Sequence, residues 1–264
     1  MSRMQEQRYE LKYWLDGPTA LRVRDHVQQH LVLDPFSVGR PNLSYPVHSL
    51  YLDAEDLPLF RGTAEGWKNR FKLRLRYYDD KLHTPCFFEI KRRMKDVILK
   101  ERGGVRKRWV PHLLAGHLCE REHLLDEESD ADWFAIQRFQ ELMLQLNTRP
   151  MLHVAYLREA YEKEGDNSVR VTFDRAVLTA PNPSGALRVK SEDVCNVFGQ
   201  TVILELKFTD RYPKWFNELV QRFDCSVTGA AKYAGGIEQR GATWARKLPL
   251  PPWLLPPRDE RATR

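Results

Sequence analysis

Strict alternation of apolar and charged residues is the dominant pattern along this chain. Residues 8–15 (RYELKYWL) alternate with the two-residue period of a strand that has one apolar and one charged face. The same period predicts strands over 48–53, 71–78, 86–93, 97–102, 152–161, 169–177 and 201–208. Helical spacing is rarer. Asp16-Gly17-Pro18 reads as a turn that opens a helix running to Leu33, with Val23, Val27 and Leu31 four residues apart. A short helix is expected over 110–119. Ser129 is placed to cap another through Leu146, with Trp133, Ile136, Met143 and Leu146 along one stripe. Pro213 opens a last one, in which Phe216, Leu219, Val220 and Phe223 share a face. Trp133 and Trp215 read as core anchors. Strands outnumber helices and come in consecutive runs. The fold class is therefore α+β, an antiparallel sheet or barrel with helices packed outside. No repeat or shift in composition divides the chain, so 1–247 reads as a single domain and 248–264 as a loose proline-rich tail.

The most informative strand is RFKLRLRY. Arg70, Lys72, Arg74 and Arg76 project from one face, and Phe71, Leu73, Leu75 and Tyr77 from the other. Neighbours on a face lie ~6.6–7 Å apart, so four cations in a row repel unless water or a polyanion lies beside them. Other strands repeat the design with acids mixed in: Glu10 with Lys12, Glu89 with Lys91, Arg170 with Asp174, and Glu205 with Lys207. If the strands close into a barrel, the apolar faces pack outward under the helices and the charged faces line a lumen. Such an inverted interior is tolerable only with a bound polyanion or metal.

Charge supports an anionic partner. The chain carries a formal net charge of +6 with pI ≈ 9.1, unevenly spread: residues 61–108 hold 16 Lys/Arg against 6 Asp/Glu, and 109–166 hold 5 against 12. No apolar run approaches a membrane span, the start does not read as a signal peptide, and Cys86, Cys119, Cys195 and Cys225 make no CxxC pair. A soluble protein of the reducing cytoplasm is expected. Other features carry weaker signals. His26 and His30 read as a helix-surface pair lacking the glutamate of a zinc-protease motif, His117, Cys119 and His123 as a polar loop, and Gly103-Gly104 as a turn. No nucleic-acid partner is expected, because RNA-binding sheets place aromatic and basic residues on one face, whereas Phe71 and Tyr77 lie opposite Arg74 and Arg76.

Eight segments then match a known family in order: RYELKYW, YLD, RFKLRLRYY, FEIKRR, YLREAY, RVTFD, ILELKF and AKY. Over about residues 8–240 the chain resembles the polyphosphate polymerase domain of the vacuolar transporter chaperone (VTC) complex, a branch of the triphosphate tunnel metalloenzymes. The resemblance implies an eight-stranded antiparallel β-barrel whose basic lumen grips triphosphate, with a glutamate-held Mn²⁺ or Mg²⁺. Carried over by motif, Lys12, Arg74, Arg76, Lys91, Arg158, Arg170 and Lys232 are the phosphate-binding set. Arg70, Lys72, Lys100 and Lys207 are further basic contacts. Glu205 is the principal metal ligand, with Glu10 and Glu89 as secondary ligands or orienters. Two positions depart from the pattern. Arg8 replaces the first of two alternating glutamates found in hydrolytic members, and Ala231 replaces a serine before the lysine-tyrosine pair.

The implied reaction passes the γ-phosphoryl group of ATP to a growing polyphosphate chain. The partners are ATP, triphosphate and polyphosphate, and any membrane-protein partner is left open. The acceptor is already an anionic oxygen, so positioning and charge neutralisation suffice without a strong base. The alternatives are hydrolysis of tripolyphosphate or nucleoside triphosphate, and a module that binds polyphosphate without turnover.

Overall fold

The alternating segments form the strands of one antiparallel sheet in the computed structural model, which describes residues 8–166 and 168–254. Chain order is β1 (Tyr9–Leu15), α1 (Gly17–Val27), β2 (Val32–Leu33), β3 (Tyr45–Asp53), α2 (Pro58–Ala64), β4 (Asn69–Tyr77), β5 (Pro85–Met94), β6 (Val97–Arg106), α3 (Val110–Leu114), α4 (Asp130–Gln145), β7 (Arg149–Glu162), β8 (Val169–Pro181), β9 (Cys195–Asn196), β10 (Val202–Phe208), α5 (Lys214–Arg222) and α6 (Lys232–Arg240). The main path is β1-β10-β8-β7-β3-β4-β5-β6, with β2 on β7 and β9 on β8. Its two ends meet: Arg8 and Ile98 form an antiparallel bridge with N–H···O bonds of 3.3 and 3.0 Å. Eight long strands thus wrap around a lumen, and two short ones are appended.

The apolar faces point outward, as the alternation predicts. Leu73, Leu75 and Tyr77 of β4 and Phe88 and Ile90 of β5 are fully buried with Ile136 and Phe139 of α4. Tyr13, Phe173, Leu204 and Leu206 are buried with Val23 and Val27 of α1 and Phe216 and Leu219 of α5. Met151, Leu152 and Val177 pack with Tyr233, Ala234 and Ile237 of α6. Each such side chain contributes about 1.5–3 kcal/mol. The helices supply the apolar cover that lets the opposite faces of the strands stay charged.

Local chemistry sets the helix ends. Asp16 caps α1 by accepting the Thr19 N–H at 2.7 Å, and Ser129 caps α4 through Asp132 N–H at 3.2 Å. The helix expected to reach Leu33 stops at Val27, because Val32 and Leu33 pair with Glu162 and Tyr161 as β2. That early stop removes His30 from the helix. His26 is buried rather than on the surface, and His30 stacks on Trp215 at 4.5 Å. The helix over 110–119 ends at Leu114, before Gly116 with φ +91°. Gly103-Gly104 is no turn: both lie inside β6, where a Cβ on Gly103 would stand 2.7 Å from the Asp132 carbonyl. Glycine lets α4 settle onto the sheet there. The described part of the proline-rich tail is packed rather than loose, with Pro251 buried and Trp253 against the α4-side core. Residues 255–264 lie outside the described residues.

Candidate functional site: a charged lumen

A cavity of about 1360 Å³ runs inside the strands, and every sequence-predicted site residue lines it. Cross-strand register accounts for their meeting. Lys12 pairs with Glu205, Lys207 with both Glu10 and Arg170, Arg74 with Glu89, and Lys72 with Lys91, which in turn pairs with Lys100. Directly paired residues point to the same face, so each pair places two charges in the lumen.

Two carboxylate-centred groups result. Glu205, 4% exposed, faces Lys207 at 2.7 Å, Lys232 at 3.1 Å, Arg158 at 3.3 Å and Lys12 at 3.4 Å. Asp174, fully buried, receives a bidentate pair from Arg158 (both 2.7 Å) and Lys232 at 2.6 Å. The second group centres on Glu89, which accepts from Arg74 at 2.7 Å and lies 3.5 Å from Arg102 and 3.8 Å from Lys100. Glu10 holds Lys91 through both oxygens, at 2.9 and 2.8 Å. Burial alone would raise the Glu205 pKa, but Lys207, Lys232, Lys12 and Arg158 together hold it well below the usual carboxylate range. Lys91, Lys207 and Lys12 do the same for Glu10, and Arg74, Arg76, Lys100 and Arg102 for Glu89. All three acids are ionised at neutral pH.

The cations pay unequally for their burial. Lys72 has no carboxylate partner among the described residues; burial and then Lys12, Lys91, Arg70 and Arg74 press its pKa well below normal. Burial pushes Lys207 down to about 7 against the pull of Glu205, and Lys100 to about 8 against Glu89. Arg76 is buried and donates to Ser49 Oγ at 3.1 Å. Arg170 is clasped by Asp34 and Glu162 at one rim, and Arg70 donates to the Trp67 carbonyl at the other.

Three features go beyond the sequence expectation. Asp174, expected only as one charge on the lumen face of its strand, shares the cations Arg158 and Lys232 with Glu205. Asp53 of YLD does not line the cavity; it accepts the N–H groups of Ala54, Leu59 and Phe60 and the Tyr233 hydroxyl, and so ties α2 and α6 to β3. The separation of aromatic from basic faces holds on β4 but not throughout. Tyr51 receives Arg74 at 3.1 Å, and Lys232 lies 4.8 Å over the Tyr156 ring. Ala231 is the residue before α6 and offers no side-chain cap, so a serine there would serve as an N-cap worth about 1 kcal/mol. His117, Cys119 and His123 do not gather around a common point. His117 stacks on His112, and buried His123 accepts the Glu120 N–H through Nδ1. Among the described residues, the acid-and-histidine group within mutual reach is Glu120, Glu122 and His123, outside the lumen.

The order of charged strands around one cavity agrees with a direct sequence comparison, in which a model of the VTC domain matches residues 7–240. The chain belongs to the VTC domain family. Vacuolar transporter chaperone complex subunit 4 of Schizosaccharomyces pombe is 22% identical over 291 residues, covering 96% of this chain and 39% of that protein. Subunit 2 of the same organism is 23% identical over 184 residues, covering 63% and 25%. This VTC domain thus spans well under half the length of either relative. A solved structure from Pyrococcus horikoshii aligns over 89% of this chain and 99% of its own, with a TM-score of 0.44 and 12% identity. No helix among the described residues of the VTC domain is long and apolar enough to cross a membrane.

Proposed function

We propose that this VTC domain is a metal-dependent polyphosphate polymerase that transfers the γ-phosphoryl group of ATP to the end of a polyphosphate chain. The observation that carries the reading is the lumen itself: cations line one cavity from Arg170 at one rim to Arg70 at the other, as a linear polyanion requires. A terminal oxygen of the chain attacks the γ-phosphorus, the bond to the β-phosphate oxygen breaks, and ADP departs. No proton need be removed from the acceptor. Lys12, Arg74, Arg76, Lys91, Arg158, Arg170 and Lys232 hold the phosphates, and Arg70, Lys72, Lys100 and Lys207 extend the track.

A hard divalent ion fits the donor set. Glu205 and Glu10 are ionised oxygen donors whose charges act on each other, and Asp174 stands behind them on shared cations. Their present partners are chiefly lysine ammonium groups, which phosphate oxygens can take over. Glu205 and Glu10 would hold Mn²⁺ or Mg²⁺, which when bound would neutralise charge on the phosphoryl oxygens. Glu89 fits the role of orienter for Arg74, Lys100 and Arg102. Water in the acceptor's place would give hydrolysis, but the ionised, cation-paired Glu10 and Glu89 are poor bases. Use of ATP places the domain on the cytoplasmic side of any membrane its partners span.

The test is incubation of the purified chain with ATP and Mn²⁺, with products resolved by size. A ladder of chains longer than three phosphates is expected. Orthophosphate alone would identify a hydrolase, and unconsumed ATP a binding module.

A further inference from the structure

The two rims of the lumen differ in chemistry. At the rim where β3 begins and β4 ends, Phe36, Tyr45 and Tyr78 line the cavity together with Arg40 and Lys81. Phe36 and Tyr45 ring centroids lie 6.2 Å apart at 57°, and Tyr45 and Tyr78 6.3 Å apart at 56°, so buried Tyr45 braces two separate ring faces. Phe36 is 72% and Tyr78 37% exposed, so two of these rings present free surface at the mouth. The opposite rim, at the start of β4 and the end of β5, has Lys68, Arg70, Arg93 and Lys95 around a recess of about 460 Å³. Both rims carry cations, and the first adds aromatic rings, from which phosphate gains nothing.

The aromatic rim is tied to the phosphate track. Tyr45 is the register partner of Arg158, and Tyr78 lies two residues beyond Arg76 on the same strand path. Asp34 fixes the third ring: one carboxylate oxygen accepts the Phe36 N–H at 2.7 Å while the other holds Arg170. The loop is anchored behind by buried Ser37, whose N–H donates to the Asp34 carbonyl at 2.8 Å. One side chain therefore ties the backbone that carries an exposed ring to an arginine that faces the lumen. A ligand matching this rim has a flat aromatic head and a polyanionic tail.

We propose that Phe36, Tyr45 and Tyr78 form a nucleobase platform, so that a nucleoside triphosphate enters by this rim with its phosphates inward. The inference rests on the nucleotide donor of the polymerase reading and names the part of the site that recognises the nucleoside. Stacking on aromatic rings contributes ~1–3 kcal/mol per base and tolerates every base, because each has a π-face.

Titration calorimetry on the whole chain without divalent ions tests it, using ATP and inorganic tripolyphosphate as separate ligands. In the double variant Phe36→Ala/Tyr78→Ala, the Kd for ATP should rise about tenfold while that for tripolyphosphate stays within about twofold. Phe36→Trp should keep ATP affinity. A parallel loss of both ligands would mean that the rings only support the tunnel, and an unchanged ATP affinity that the base lies elsewhere; either overturns the platform. Wild-type protein that binds tripolyphosphate but not ATP overturns the platform alone, whereas binding neither removes the tunnel reading with it.

Discussion

Glu205→Gln keeps the shape of the side chain and removes the charge on which four cations converge. Lys207, Lys232, Arg158 and Lys12 all lie within 3.4 Å of its carboxylate. Breaking a buried ion pair from one side costs ~3–5 kcal/mol. Asp174 still compensates Arg158 and Lys232, and Lys207 can shed its proton, so the loss should fall toward ~2–3 kcal/mol. For a domain of this size each kcal/mol moves Tm by roughly 2–4 °C, which makes the drop about 4–12 °C. Glu205 is ionised far below its ordinary pKa in the folded state. Its contribution is therefore full above the unfolded carboxylate range and is lost only in strong acid as pH falls through the folded value. Tripolyphosphate should restore most of the missing charge, so thermal melts of the variant with and without it, free of metal, should differ more than those of the wild type. Mn²⁺-dependent turnover should collapse while metal-free tripolyphosphate binding persists or strengthens. A variant that melts like the wild type and keeps full Mn²⁺-dependent activity would refute both the electrostatic account and the metal assignment.

Two further outcomes follow from the same lumen. Arg74→Ala and Arg76→Ala should each weaken tripolyphosphate by ~1–3 kcal/mol, the wild-type affinity should fall with salt, and equal affinity in the double variant would exclude β4 from the site. Binding at pH 8 should take up protons: Lys207 titrates near 7, Lys100 near 8, and Lys72 is lowered as well, so a polyanion that raises these values recharges them. Affinity then declines as pH rises from about 7 to 9, and calorimetry in buffers of different ionisation enthalpy should show it; zero uptake would mean these lysines do not face the ligand.

The parity of the strands was readable because a period of two admits only two faces, and on β1, β4, β8 and β10 one of them is charged. On β3 the signal fails. HSLYLD sets Ser49, Tyr51 and Asp53 opposite Leu50 and Leu52, but that face carries no cation to mark it as the lumen side, and the aromatic wall beside the cations went unseen. Helix α6 was hidden for a different reason. It begins KYAGG, a poor helix former by itself, and exists because bare Gly236 lets it approach Leu152 and Thr179, where a Cβ would come within 2.7 Å. The clasp of Arg170 by Asp34 joins residues 136 positions apart, beyond any local pattern.

The wall of the cylinder is not uniform. Among the described residues, seven junctions are ladders of five to ten paired residues, and the eighth is the Arg8–Ile98 bridge. Beside that junction the side chains take over, since Glu10 of β1 reaches past β6 to hold Lys91 of β5. An anion that takes Lys91 takes it from Glu10, so the strength of the seam depends on what fills the bore. Amide exchange along β1 and the start of β6 therefore reports, from the backbone, whether the cylinder is loaded or empty.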